Sequence, residues 1–172
     1  MAKKISLREY QESVVARLQS SLAGGGGAAS KLGIQAGNDL WLVDLQDASE
    51  VVAVPELAPV PLTHYWFRGV ANVRGTLYSV VDLPMFNGGE PTMLTASSRL
   101  LLVNSKFIAN SALLVNKMLG LRNIEQFQPE PVSEPLPAWQ SGVYRDAEGK
   151  LWKTLDMAAL AANPQFLQVA TI

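Results

Sequence analysis

The chain of 172 residues carries 14 Lys and Arg against 15 Asp and Glu, a formal net charge of −1, with 48% hydrophobic and 17% charged residues. That balance exerts no global pull on a phosphate backbone, so nucleic-acid binding would need a local basic patch, while the apolar fraction is that of a folded domain. Cysteine is absent, which excludes disulfides, thiolate metal sites and a cysteine nucleophile.

The N-terminus reads Met1-Ala2-Lys3-Lys4 and continues with Ser6, Arg8, Glu9, Gln11 and Glu12, so the apolar core of a signal peptide is missing. No stretch approaches the ~20 apolar residues of a membrane span, and the expectation is a soluble, cytoplasmic protein without direct membrane insertion. Leu7, Tyr10, Val14, Leu18 and Leu22 recur at spacings of three and four, predicting an amphipathic helix over Ile5–Leu22. Ser6 and Glu9 form a capping box at its start. Gly24 to Gly27 ends it, so residues 1–30 read as a helix and a flexible linker. That helix packs on its own domain or meets a partner.

Beyond the linker the hydrophobic period changes to two. Lys31–Ala36 and Leu40–Leu45 read as strands joined by Ala36-Gly37-Asn38-Asp39, a good turn composition. Asp47–Glu50 reads as a turn or one helical turn, Val51–Val54 as a strand, and Pro55, Pro59 and Pro61 as an irregular passage. From Trp66 to Leu83 two β-patterned arms meet at Gly75, whose freedom at positive φ suits a tight hairpin turn. Alternation puts Ala71 and Val73 on one face and Asn72 and Arg74 on the other. Val70 shares the outward parity, unless a bulge or a covering loop intervenes. Asn87-Gly88-Gly89 marks a break.

A second β-rich block follows in Arg99–Asn104, Ile108–Val115, Ile124–Gln128, Gly142–Arg145 and Lys150–Leu155, with 129–137 a proline-rich connector. Asp156–Ala162 reads as a short helix stopped by Asn163-Pro164. Roughly ten short, closely spaced strands favour barrels or a sandwich over a parallel α/β sheet. Between Glu90 and Glu125 the only charges are the basic Arg99, Lys106, Lys117 and Arg122, whereas 125–148 leans acidic. Such a division orients a protein partner if it forms a surface, and otherwise describes solvated strand ends.

Catalytic signals are weak. His64 is the single histidine, so no histidine-rich metal site can form and acid–base pairing would rest on one ring. Nucleophile-elbow, phosphate-loop and dinucleotide motifs are missing, and Asp39, Asp44 and Asp47 have no histidine close in sequence. No catalytic residue, metal site or cofactor is expected. Arg74, a planar fork of donors at the hairpin tip, is the best binding candidate.

Gly69-Val70, Asn72, Arg74-Gly75 and Asp82-Leu83 resemble the core signature of CheW-like coupling proteins, which join bacterial chemoreceptors to a histidine autokinase. Pro61 with Trp66, the run Val115 to Gly120, and Leu155-Asp156-Met157 carry the likeness across about 31–160. With its N-terminal extension and closing Asn163-Pro164-Gln165-Phe166, the chain is most similar to the PilI-type branch, which serves type IV pilus twitching motility. The resemblance implies a mainly β fold: two small five-stranded SH3-like barrels packed together over 31–162, a break near 87–98, a short C-terminal helix and a tail at 163–172. It implies a non-catalytic adaptor coupling a methyl-accepting chemoreceptor's cytoplasmic tip to a CheA-like histidine kinase, recruited to membrane-associated arrays. Glu50 matches a glutamate position of the family and would pair with or lie close to Arg74. The implied protein-binding residues are Glu50, Trp66, Val70, Asn72 and Arg74, with Gly69 and Gly75 shaping the turn. Asn116 stands where many relatives have aspartate. The alternative is a β-barrel that binds a small molecule or oligosaccharide, which calls for a deep apolar pocket.

Overall fold

The structure, a computed structural model, describes residues 29–172 together with Gln11; the helix predicted over Ile5–Leu22 and the glycine tract lie outside the described residues. The described chain is mainly β, built as two mixed six-stranded sheets. Sheet A contains β1 (Ser30–Ala36), β2 (Asp39–Asp44), β9 (Lys117–Asn123), β10 (Gln128–Pro129), β11 (Gln140–Arg145) and β12 (Leu151–Leu155), in the order β10-β11-β12-β2-β1-β9. Sheet B contains β3 (Ala48–Ala53), β4 (Leu57–Ala58), β5 (Phe67–Val73), β6 (Thr76–Asp82), β7 (Arg99–Val103) and β8 (Ser111–Val115), in the order β3-β7-β8-β6-β5-β4. Setting aside the two-residue edge strands β4 and β10, each sheet has five strands of five or more residues.

The chain changes sheet between β2 and β3 and again between β8 and β9. The strands on either side of the segment 87–98, β6 and β7, both belong to sheet B, where β7 pairs with β3 and β8 with β6. Two predicted strands are shorter or different. Ile108–Val115 is strand only from Ser111, and Ile124–Gln126 is a 3₁₀ turn whose Asn123 side chain accepts from Glu125 N. Conversely, β9 forms from a segment not read as a strand; it pairs with β1 across a register shift near Gly33, and Gly120 sits there at φ 82°.

The sheets share one core. Ile34, Trp41 and Val43 from sheet A meet Val81, Leu101, Val103, Leu113 and Val115 from sheet B, with Met157 and Leu160 of helix α2 (Met157–Ala162) closing one side. The opposite face of sheet B has its own cluster, Ala71, Val73, Val80, Leu100, Leu102, Ala112 and Leu114. Successive residues of β7 and β8 are thus buried on both sides, which is why these strands read as unbroken apolar runs. Leu42, Phe127 and Trp152 do the same for sheet A.

Two short helices gather aromatic side chains. Helix α1 (Leu83–Phe86) starts at Asp82, whose carboxylate caps it, with Pro84 in its first turn. Its Phe86 touches Trp66 at 5.1 Å, Trp139 at 4.8 Å and Phe166 at 5.5 Å between centroids. Phe166 belongs to α3 (Pro164–Leu167), beyond which Ala170 bridges to Thr63 and Val169 O accepts from His64 N at 2.9 Å. Phe166 is thus buried in the fold, while Leu167 and Ile172 are exposed.

Gly69 marks the closest backbone approach. It has φ 118°, and a Cβ there would stand 2.1 Å from Ala58 O, where β4 crosses β5. Gly69→Ala is expected to cost at least about 2 kcal/mol. Gly75→Ala, with φ 86° and open space around it, is expected to cost less, about 1–2 kcal/mol. Urea unfolding of the two variants checks the order.

Candidate protein-binding surface

The hairpin β5–β6 projects from sheet B on a two-residue turn, since Val73 pairs with Thr76. Arg74 has φ 50° and Gly75 φ 86°, the double positive-φ geometry of a type I′ turn, whose twist matches that of the flanking strands. Asn72 Oδ1 accepts from Gly75 N at 2.8 Å, so Asn72 orders the turn as well as facing solvent. Arg74 Nη1 donates to Glu50 Oε1 at 2.9 Å, and Nη2 bonds Glu50 Oε2. The fork is bidentate and half-exposed, with a modest contribution to stability and a strong one to orientation.

Glu50 sits on β3, the first strand in the order of sheet B, while Arg74 joins its fourth and fifth strands. The pair therefore links the start of the sheet to the hairpin near its far edge. Val52 on β3 and Leu57 on β4 pack against the same inner cluster, so apolar contact follows the same path beneath the ion pair.

Of the residues singled out from sequence, Glu50, Asn72 and Arg74 come together at the tip, with Gly75 at φ > 0 as expected. Val70 is half-buried, because β4 covers it through the Ala58–Val70 pairing and a register shift falls between Phe67 and Gly69. Trp66 is corrected from a surface candidate to a core residue. It is 2% exposed, stacked on His64 at 5.3 Å and set edge-on to Phe86. Sequence reasoning missed Leu77, which faces Asn72 across the hairpin and is 59% exposed; outward parity on β6 would have found it.

A second constellation lies at the other end of the hairpin. Asp82 is fully buried and accepts from Arg68 Nη1 at 2.7 Å, Thr92 N at 2.9 Å, Thr92 Oγ1 at 2.8 Å and Met85 N at 3.3 Å. Arg68 also donates to Thr92 O at 3.2 Å. A carboxylate with that many donors is fully compensated on leaving water. The signal for it was Asp82 standing two residues before Pro84, a helix-start pattern.

The charge division of the sequence dissolves into local uses. Arg122 lies over the Trp152 ring at 5.3 Å, Lys106 over Phe107 at 4.8 Å, and Arg99 donates to the Ala96 and Ser98 carbonyls. On the acidic side, Arg145 holds Glu130 through two bonds of 2.9 and 3.0 Å and keeps its carboxyl below the usual range. Asp146 accepts from Trp152 Nε1 at 2.9 Å, which lowers its pKa. Asn116, uncharged, accepts from Gly37 N at 2.6 Å and stiffens the β1–β2 turn.

A pocket of about 260 Å3 opens on sheet A between Lys31, Leu42, Asp44, Ile124, Ser141, Tyr144, Thr154 and Leu155. It falls below the roughly 300–1,000 Å3 of small-molecule sites and is rimmed by a Lys31–Asp44 ion pair that is already satisfied. Among the described residues no group of three or more His, Cys, Asp or Glu is placed to hold a metal, and no helix is long and apolar enough to cross a membrane.

These features define a protein whose shaped surfaces are sheet faces, hairpin ends and pinned loops. The chain belongs to the CheW-like domain family, whose model matches residues 31–165, a family of non-catalytic adaptors. It is similar to protein PilI of Pseudomonas aeruginosa, with 29% identity over 146 residues covering 82% of this chain and 80% of the relative. The crystal structure of the scaffolding protein TtCheW from Thermoanaerobacter tengcongensis shares the fold, with a TM-score of 0.63 and 21% identity over 74% of this chain and 88% of that one.

The strand bearing Glu50 follows a 3₁₀ turn that ends at Asp47, 8% exposed. Burial raises the Asp47 pKa, with Asp44 adding and Lys106 opposing. The folded chain thus holds this proton to a higher pH than the unfolded chain, whose value is near 3.8. Stability contributed by this group falls as pH rises from there through the folded value. Asp47→Asn is expected to raise the thermal midpoint at pH 7 and leave it unchanged at pH 3, which a pH series of melting curves measures.

Proposed function

We propose that the chain is an adaptor that couples a methyl-accepting chemoreceptor to a CheA-like histidine kinase in a chemosensory pathway controlling type IV pilus twitching motility. Family membership supports the adaptor class, and the similarity to PilI over most of both chains supports the pilus branch. The observation that carries the reading is the hairpin tip, where Glu50 and Asn72 preset Arg74 on the outward face. A guanidinium already fixed in place loses little further freedom when a partner's carboxylate or backbone carbonyl meets it.

Glu50, Val70, Asn72 and Arg74, with Leu77, make up the proposed contact surface, and Gly69 and Gly75 give it its shape. In this reading each sheet curls as an SH3-like sub-barrel. The Glu50–Arg74 link between β3 and the β5–β6 turn supports that for sheet B. The receptor's cytoplasmic tip and the kinase are the partners, and the site of action is the cytoplasmic face of membrane-associated receptor arrays. A scaffold needs no cofactor, and its output follows from holding two partners at a fixed spacing.

Pull-down of the purified cognate kinase and receptor fragment with wild type and Arg74→Asp checks this. The variant is expected to retain its fold, since an exposed ion pair is worth about 1 kcal/mol or less. It is also expected to lose at least tenfold in affinity for one of the two partners. Undiminished binding of both by a folded Arg74→Asp variant rejects the surface.

A further inference from the structure

The continuously described chain begins beside the pocket on sheet A. Ala29 O accepts from Ile124 N at 2.8 Å, and Ser30 and Lys31 pair with Asn123 and Arg122. Ile124 and Lys31 are themselves walls of the pocket. Its apolar lining is Leu42, Ile124, Tyr144 and Leu155, and at about 260 Å3 it suits aliphatic side chains better than a whole small molecule. Its polar groups serve one another: Lys31 bonds Asp44, and the Ser141 and Thr154 hydroxyls share a hydrogen bond of 2.7 Å. A polar ligand finds little left to satisfy there, whereas an apolar side chain displaces water without breaking a bond between protein groups.

We infer that segment 5–22 of the same chain covers this pocket, with Leu18 and Leu22 filling it. The 28 residues ahead of Ala29 include the stripe Leu7, Tyr10, Val14, Leu18 and Leu22, which is buried only against an apolar surface. Connection selects the end of the stripe. Seven Cα steps separate Leu22 from Ala29, a root-mean-square reach of about 15 Å for a glycine-rich chain. Leu18 lies one helical turn further on the same face, about 6 Å along the axis, whereas Leu7 lies about 22 Å beyond Leu22. Connection also selects the occupant. A tether this short holds the segment at an effective concentration of about millimolar, above that of a free second copy in dilute solution. Charge agrees: the segment carries Lys3, Lys4, Arg8 and Arg17 against Glu9 and Glu12, and the exposed Glu125 follows Ile124 at the mouth. The inference concerns this chain alone and stands apart from the adaptor reading.

Amide hydrogen exchange on the full-length chain, without any partner, tests this. Amides of residues 14–22 are expected to exchange at least tenfold more slowly than in a free peptide of residues 1–28, at the same rate in dilute and concentrated protein. The double variant Leu18→Asp, Leu22→Asp is expected to lose that protection, and so is Ser141→Trp, which fills the pocket from its exposed rim. Methyl NMR signals of Leu42, Ile124 and Leu155 are expected to shift in the double variant, while those of Leu100 and Leu114 in the other cluster stay in place. Exchange in the wild type at the free-peptide rate overturns the inference. Protection that survives in a folded Ser141→Trp variant overturns it too, since the segment then docks elsewhere, and protection that appears only at high protein concentration gives the pocket to a second copy instead. If Ser141→Trp unfolds, the methyl signals decide: unchanged Leu42, Ile124 and Leu155 resonances in the double variant reject the contact.

Discussion

The constraint on which the rest depends is the burial of β7 and β8 on both faces. Leu100 and Leu102 point into the inner cluster of sheet B while Leu101 and Val103 enter the core shared with sheet A, and Ala112 and Leu114 alternate with Leu113 and Val115 in the same way. Strands desiccated on both faces must satisfy their amides along both edges. β7 does so between β3 and β8, and β8 between β7 and β6. Each Leu in these positions contributes on the order of 2–5 kcal/mol as judged by truncation. The central pair therefore acts as a keel to which both layers are fixed.

The hairpin inherits its position from that keel. β6 runs parallel to β8 from the Ser79–Ser111 pairing to Asp82–Leu114, which fixes one arm, and β5 follows through the turn. Where the arm ends, Asp82 turns the chain into α1 and collects Arg68 and Thr92. Where it begins, the type I′ turn sets Arg74 against Glu50 on β3, a strand held by β7. Both ends are thus tied to elements that cannot shift without opening the core, and their spacing is a property of the whole fold.

The sequence announced the parts governed by local rules. Alternation of Ala71, Asn72 and Val73 with a glycine at the turn specified the hairpin and its facing, and Asp156 before an alanine-rich run specified α2, which Asp156 caps through Ala159 N at 2.9 Å. What it did not announce depends on long-range pairing. Residues 117–123 do not read as a strand because Gly120 interrupts the alternation, and they become one only by lying against β1. Trp66 looked accessible because it follows a run of polar and aromatic residues; Phe86, set edge-on to it, is 20 positions further along, and Phe166, which packs on Phe86 in turn, is 100. The Glu50–Arg74 pair was reached through family resemblance, since nothing in spacing joins residues 24 apart on different arms.

Rigidity of this kind changes how an adaptor transmits information. A flexible linker passes on little of one partner's orientation to the other, because its end-to-end distance fluctuates over a wide range. A β-ladder whose two ends are held by a bidentate Arg–Glu fork and a buried, four-donor carboxylate keeps those ends at a fixed separation. The same rigidity carries a cost in tolerance: a partner displaced by a few ångströms meets a surface that cannot follow it. Substitutions that loosen the Asp82 cluster would therefore change the separation of the hairpin's two ends even while every residue exposed at the turn remained in place, because Asp82 ties one end to Arg68 and Thr92.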